Sequence, residues 1–148
     1  MNPLTLLKNN RFDIPAKHLY ARYRDAGYDT SFGEDVYASH LNAWNSFNEL
    51  DNSNKNTYES FKSTFDNILD SISTDGFDST KGTLPVYENY LINGSHRVAA
   101  SILYNKEVDT HEATENEGQL DCSSSMFASR GLSTFNLDAM ATEYVRLV

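Results

Sequence analysis

One stretch narrows the folding options of this chain more than any other: Tyr90-Leu91-Ile92-Asn93-Gly94-Ser95-His96-Arg97-Val98-Ala99-Ala100. A β-forming run meets an Asn-Gly turn, and Val98, Ala99, Ile102 and Leu103 then recur at helical spacing. That order predicts a strand over 90–93, a tight turn at Gly94 and a helix over 96–105. The first turn of a helix leaves its N–H groups unpaired, and the dipole puts partial positive charge there, so an anion is the natural occupant. Gly94 permits the turn and a close backbone approach. Ser95 adds a hydroxyl at the cap, and His96 and Arg97 add cationic donors, the Arg fork being suited to phosphate oxygens. Ala99 and Ala100 keep the helix slim. The same residues also suit an ordinary turn, a serine cap and a solvated His-Arg pair, and spacing alone leaves both readings open.

The rest of the chain supplies a frame for that corner. Ala16, Leu19, Tyr20 and Tyr23 predict a helix within 11–26, ended by Gly27. A second helix is expected from Glu34, with Val36, Tyr37, His40, Leu41, Trp44 and Phe47 on one face. After a polar turn over 51–56, Asn56 and Glu59 read as a capping box. Phe61, Phe65, Ile68, Leu69 and Ile72 form the clearest helical stripe, stopped at Gly76. Strands are expected over 84–87 and 107–111 besides 90–93. Asp121-Cys122-Ser123 reads as the cap of a short helix, and 136–148 as a last helix. The chain ends on Val-Arg-Leu-Val with no polar tail, which reads as a cut from a longer polypeptide.

Composition bounds the function. With 148 residues and 39% hydrophobic content, the chain predicts one domain with a real core. Its net charge of −9 carries no basic stripe, so duplex DNA is not an expected partner. One cysteine excludes a disulfide framework or a cysteine metal cluster. No run approaches the roughly 20 apolar residues of a membrane span, and the N-terminus is no signal peptide, so the cytoplasm is expected.

The run Leu91-Ile92-Asn93-Gly94-Ser95-His96-Arg97-Val98-Ala99-Ala100-Ser101-Ile102-Leu103 resembles the signature loop of the ParB/sulfiredoxin-like superfamily: an apolar strand, Gly-x-His-Arg, then a helix opening on small residues. The preceding helix, Gly76-Phe77-Asp78 and Leu84-Pro85-Val86 are similar to what leads into that loop. The resemblance covers about residues 53–110, with 1–50 as a helical N-terminal extension. Phe12-Asp13-Ile14-Pro15-Ala16-Lys17-His18-Leu19-Tyr20-Ala21 also resembles a subgroup attached to polysaccharide-synthesis enzymes. The resemblance implies an α/β (α+β) fold, a small mixed sheet flanked by helices, and a site for ATP or CTP. The N-terminal helices would then form a lid or a wall on the substrate side.

Three activities are associated with that superfamily. Sulfiredoxin chemistry needs a cysteine where this chain has Ser95, and serine cannot stand in for a low-pKa thiolate. A ParB-type CTP clamp on DNA fits poorly with the acidity of the chain. What survives is a kinase reading: transfer of the ATP γ-phosphoryl group to a hydroxyl, as on a sugar or glycan, with Mg²⁺. The alternatives are a noncatalytic nucleotide- or nucleic-acid-binding regulator and a nuclease-like phosphohydrolase. The residues expected to act are His96, Arg97 and the carboxylate of Asp13, ahead of Glu49 and Asp51. Gly94, Ser95, His96 and Arg97 would hold phosphate, with Lys55, Lys62 and Lys17 as further nucleotide contacts; no metal ligand set is legible. For Asp13 the competing reading is a helix-start residue before Pro15. For the lysines it is solvated surface, for His40 and Trp44 core packing, and for Cys122 an inert thiol. His18 and His111 show no partner pattern, and the acidic run over 112–117 reads as a solvated loop that could help hold a metal.

Overall fold

The computed structural model describes residues 1–8, 10–49, 55–114 and 121–148. Six α-helices and three short strands follow in the order α1 Asp13–Ala26, α2 Ser31–Asn45, α3 Tyr58–Asp75, β1 Leu84–Tyr87, β2 Tyr90–Leu91, α4 Ser95–Leu103, β3 Thr110–Glu112, α5 Ser124–Ser129 and α6 Thr134–Leu147. The class is mixed α+β. The sheet runs β2-β1-β3, with β1 antiparallel to β2 and parallel to β3. Among the described residues no helix is long and apolar enough to cross a membrane.

α1 lies between α2, α4 and α6, so the N-terminal helices belong to the body of the fold. Ile14, Tyr20 and Ala21 of α1, with Tyr37 and Leu41 of α2, share one buried cluster with Phe61, Phe65 and Leu69 of α3, Leu84 and Val86 of β1, and Val98 to Ala100 of α4. A second cluster under α6 gathers Ala16, Leu19, Val36, Phe127 and Met140. The α3 stripe and the small face of α4 are the ones the apolar periodicity predicts.

Several boundaries move for local reasons. α3 is capped by Thr57: its hydroxyl accepts from Ser60 N–H at 3.2 Å, and Thr57 N–H donates back to Ser60 Oγ at 3.0 Å. That reciprocal pair displaces the expected Asn56–Glu59 box. α2 begins earlier than Glu34 because Asp29 Oδ1 accepts from Ser31 N–H at 2.8 Å. β3 falls later than 107–111 because Val108 is already paired: its N–H donates to the Met1 carbonyl at 2.9 Å, and the Met1 amino group donates to its carbonyl at 3.0 Å. The turn over 51–56 falls mostly outside the described residues, as does the end of the acidic run over 112–117.

Candidate functional site

The strand–glycine–helix corner is present. Gly94 sits at φ 97°, ψ 23° as the N-cap of α4, and no side chain caps the helix. A Cβ at Gly94 would stand 2.4 Å from Leu84 Cδ2, so a larger residue here must push that side chain aside as well as adopt a positive φ. The first backbone bond of α4 runs from Val98 N–H to the Gly94 carbonyl at 3.0 Å. The N–H groups of Ser95, His96 and Arg97 therefore lie ahead of the intrahelical ladder, where the dipole is positive.

This helix end opens into a cleft of about 100 Å³ between α1, the C-terminal part of α2 and the start of α3. Asn93, Gly94, Ser95 and His96 form one side. Facing them are three cations and two carboxylates, Arg11, Lys17 and Lys55 with Asp13 and Glu49. Residues far apart in sequence thus meet at one helix N-terminus.

At the floor, Arg11 is 2% exposed and grips Asp13 with both arms, Nε to Oδ1 at 2.9 Å and Nη2 to Oδ2 at 2.8 Å, while Nη1 donates to the Leu91 carbonyl at 2.8 Å. Lys17 Nζ donates to Asp13 Oδ2 at 3.3 Å and lies 3.0 Å from His40 Nε2. Burial pushes the Asp13 carboxyl up, but Arg11 and Lys17 together outweigh it and hold the group far below the usual carboxylate range. Burial first, then the neighbouring Lys17, holds His40 well below the ordinary imidazole value, so its Nε2 is an acceptor. Burial also lowers Lys17, and Arg11 adds to that; Asp13 and Cys122 oppose it.

His96 is half-buried, edge-on to Phe65 with ring centroids 4.8 Å apart. Its Nε2 lies 2.8 Å from Tyr37 Oη. Burial raises Tyr37 well above its ordinary value, so its hydroxyl stays protonated; it also donates to the Phe61 carbonyl at 3.3 Å. Burial, then Lys17, Lys55 and His40, holds His96 well below 6.5. The ring is therefore neutral. At the rim, Lys55 Nζ stands 4.5 Å from the Phe61 ring centroid and 3.7 Å from Glu49 Oε2.

Of the residues expected from sequence, the cleft brings together Gly94, Ser95, His96, Lys17, Lys55 and Asp13, and Glu49 with them. Two point elsewhere. Arg97 leaves α4 on its other side, donates to the carbonyls of Gly82 at 2.8 Å and Asp78 at 3.1 Å, and stacks over Phe77. Lys62 pairs with Asp66 at 3.1 Å, beside Tyr20. Asp51 lies outside the described residues. His18 has a partner after all, with Nδ1 3.4 Å from the buried Glu143, which also takes Arg22 at 3.0 Å. His111 meets Thr83 Oγ1 at 2.6 Å. Cys122 lies in the cleft wall, and burial pushes its thiol up to about 12, as an inert thiol requires. Sequence reasoning missed Arg11 and His40 as site residues. The only trace of Arg11 was its place two residues ahead of Asp13, and His40 was indistinguishable from core packing.

A Mg²⁺ ion held with nucleotide phosphates needs one or two carboxylates. Asp13 is spent on Arg11 and Lys17, whereas Glu49 at the rim fits that part. Among the described residues no group of three potential metal ligands occurs. Compared with family models, curated proteins and solved structures, the chain matches none.

Proposed function

We propose that the cleft binds the phosphate end of a nucleotide, with ATP as the leading candidate and CTP next, and passes its terminal phosphoryl group to a hydroxyl acceptor of sugar or glycan type. The observation that carries this reading is the uncapped N-terminus of α4 facing Lys55, Lys17 and Arg11 across one cleft. Backbone N–H groups and fixed cations converging on one point suit the charge of a transferring phosphoryl group, where catalysis is mostly positioning and neutralisation. The likeness of residues 94–97 to the ParB/sulfiredoxin-like loop supports the same assignment.

In this reading the N–H groups of α4 hold the phosphoryl oxygens beside the His96 ring, Lys55 closes the rim, and Arg11 with Asp13 forms the rigid floor. Arg97 anchors the loop ahead of β1. Mg²⁺, when bound through Glu49 and the phosphates, supplies further charge neutralisation. A cleft of about 100 Å³ is well below the ~300–1,000 Å³ of whole-ligand sites. It therefore takes the phosphate end, and the nucleoside lies outside it.

The test has two stages. Thermal shift with ATP, CTP, GTP and inorganic phosphate, each with Mg²⁺, reads binding; a ligand at a hundredfold excess over Kd stabilises by about 2.7 kcal/mol. Incubation with γ-labelled ATP and a panel of sugars, glycans and amino acids then reads transfer. Binding without label in any acceptor favours the noncatalytic regulator, and label released only as free phosphate favours a phosphohydrolase. No shift with any nucleotide refutes the proposal.

A further inference from the structure

Asn93 is the only one of the chain's 15 asparagines that is followed by glycine. It is exposed and lines the cleft beside the start of α4. The backbone N–H of Gly94 donates to the Asn93 side-chain carbonyl at 2.7 Å, so the next residue's amide nitrogen lies against the carboxamide. That nitrogen enters no backbone ladder: β2 ends at Leu91, and the first bond of α4 starts from Val98 N–H. Gly94 has no Cβ to crowd an approach to Asn93 Cγ, and the positive end of the helix dipole favours a deprotonated amide there. The exposed Asn48 and Asn89 precede Glu49 and Tyr90, where a Cβ hinders the same approach.

We infer that Asn93 is a self-modifying site whose conversion to a carboxylate closes the cleft to phosphate; the closing rests on the phosphate-binding reading above. The Gly94 nitrogen gives its proton to hydroxide and bonds to Asn93 Cγ. The Cγ–Nδ2 bond breaks, and its electron pair leaves with Nδ2, which takes a proton from water and departs as ammonia. Water then opens the cyclic imide at either of its carbonyls. Opening at Cγ leaves aspartate with the main chain intact. Opening at the main-chain carbonyl leaves isoaspartate, with the chain running through Cγ. Ammonia is lost, water is gained, and nothing is oxidised or reduced. In both products a carboxylate replaces a neutral amide at position 93. The cleft sets Arg11, Lys17 and Lys55 against Asp13 and Glu49, an excess of one positive charge. A third carboxylate cancels that excess beside the α4 N–H groups that would meet the phosphate oxygens. Isoaspartate also adds a backbone carbon directly ahead of the N-cap Gly94, which moves those N–H groups.

The experiment ages the purified wild-type chain in mildly alkaline buffer at physiological temperature and follows every asparagine by peptide mass mapping. Asn93 should convert first and should give both aspartate and isoaspartate. Fresh and aged chains are then titrated with ATP and Mg²⁺ beside Asn93→Asp and Asn93→Gln. The converted chain and Asn93→Asp should bind ATP about tenfold or more weaker than fresh wild type, the scale of one like charge a few ångström from phosphate. Asn93→Gln should titrate alike before and after ageing, because a glutamine closes the corresponding ring far more slowly. Melting without ligand checks that the aged chain is folded; if it is not, Asn93→Asp carries the comparison. The inference is overturned if Asn93 keeps its amide, if other asparagines convert ahead of it, or if the folded carboxylate form binds ATP within about threefold of fresh wild type. If fresh wild type binds neither ATP nor inorganic phosphate, the phosphate-binding reading fails and takes the closing of the cleft with it. The mass map still decides whether Asn93 converts.

Discussion

Replacing Gly94 by alanine tests whether the corner at α4 is as tightly built as its geometry implies. Two costs add. At φ 97° an L-residue pays about 1–2 kcal/mol for left-handed backbone. The new Cβ also falls 2.4 Å from Leu84 Cδ2. That atom ends a flexible side chain, but Leu84 is 1% exposed within the main core, so turning it away displaces packed neighbours. Overpacking of this kind costs about 1–3 kcal/mol. Gly94→Ala should therefore lose about 2–5 kcal/mol in urea unfolding, or about 6–15 °C in Tm for a chain of this size. On a Leu84→Ala background the clash disappears and only the backbone cost of about 1–2 kcal/mol should remain. A loss under about 1 kcal/mol, or an equal loss on both backgrounds, would refute the reasoning.

Other expectations follow from the buried charges. His40 titrates below its unfolded value, so the unfolded chain binds more protons beneath about pH 6.5. The stability His40 contributes is present above that pH and falls by up to about 1.4 kcal/mol per unit as the pH drops below it. Asp13 adds a similar loss only below about pH 4, because its folded value is depressed as well. Urea midpoints at pH 7.5, 6 and 5 should show the first of these losses, and flat midpoints would contradict it. Glu143 is 1% exposed and holds His18 and the part-exposed Arg22, so Glu143→Ala should cost about 1–3 kcal/mol by denaturant unfolding. Arg97→Ala should lower stability and leave the ATP thermal shift intact, whereas Lys55→Ala should reduce the shift. The reverse pattern would put Arg97 in the cleft.

Much of the fold was legible because its signals are local. The α3 stripe, the stop at Gly76, the Pro-Val strand and the Gly94 turn each depend on a few neighbouring residues. Where expectation and structure part, the competing partner is non-local or unusually economical. Met1 pairs with Val108 across 107 positions, which delays β3, and the hydroxyls of Thr57 and Ser60 cap each other before the box at Asn56 can form. Residues 1–50 read as an extension because nothing in their sequence announces that Ile14 and Tyr20 pack in one core with Phe65 and Leu84.

The site was legible only on the α4 side. A glycine turn followed by Ser-His-Arg declares a helix N-terminus, but which way each long side chain turns is set by neighbours. Phe77 and two loop carbonyls draw Arg97 out of the cleft, and Asp66 does the same for Lys62. The opposite side rests on Arg11, Lys17 and His40, whose sequence context looks like surface or core. Buried cations are costly unless paired. Here Asp13 meets that cost for Arg11 and Lys17 together, and His40, kept neutral, receives what Asp13 cannot. The carboxylate that reads from sequence as a base is therefore the group least able to act as one. Asp13→Asn should separate these roles: a floor residue loses stability and ATP affinity together, whereas a base loses transfer alone.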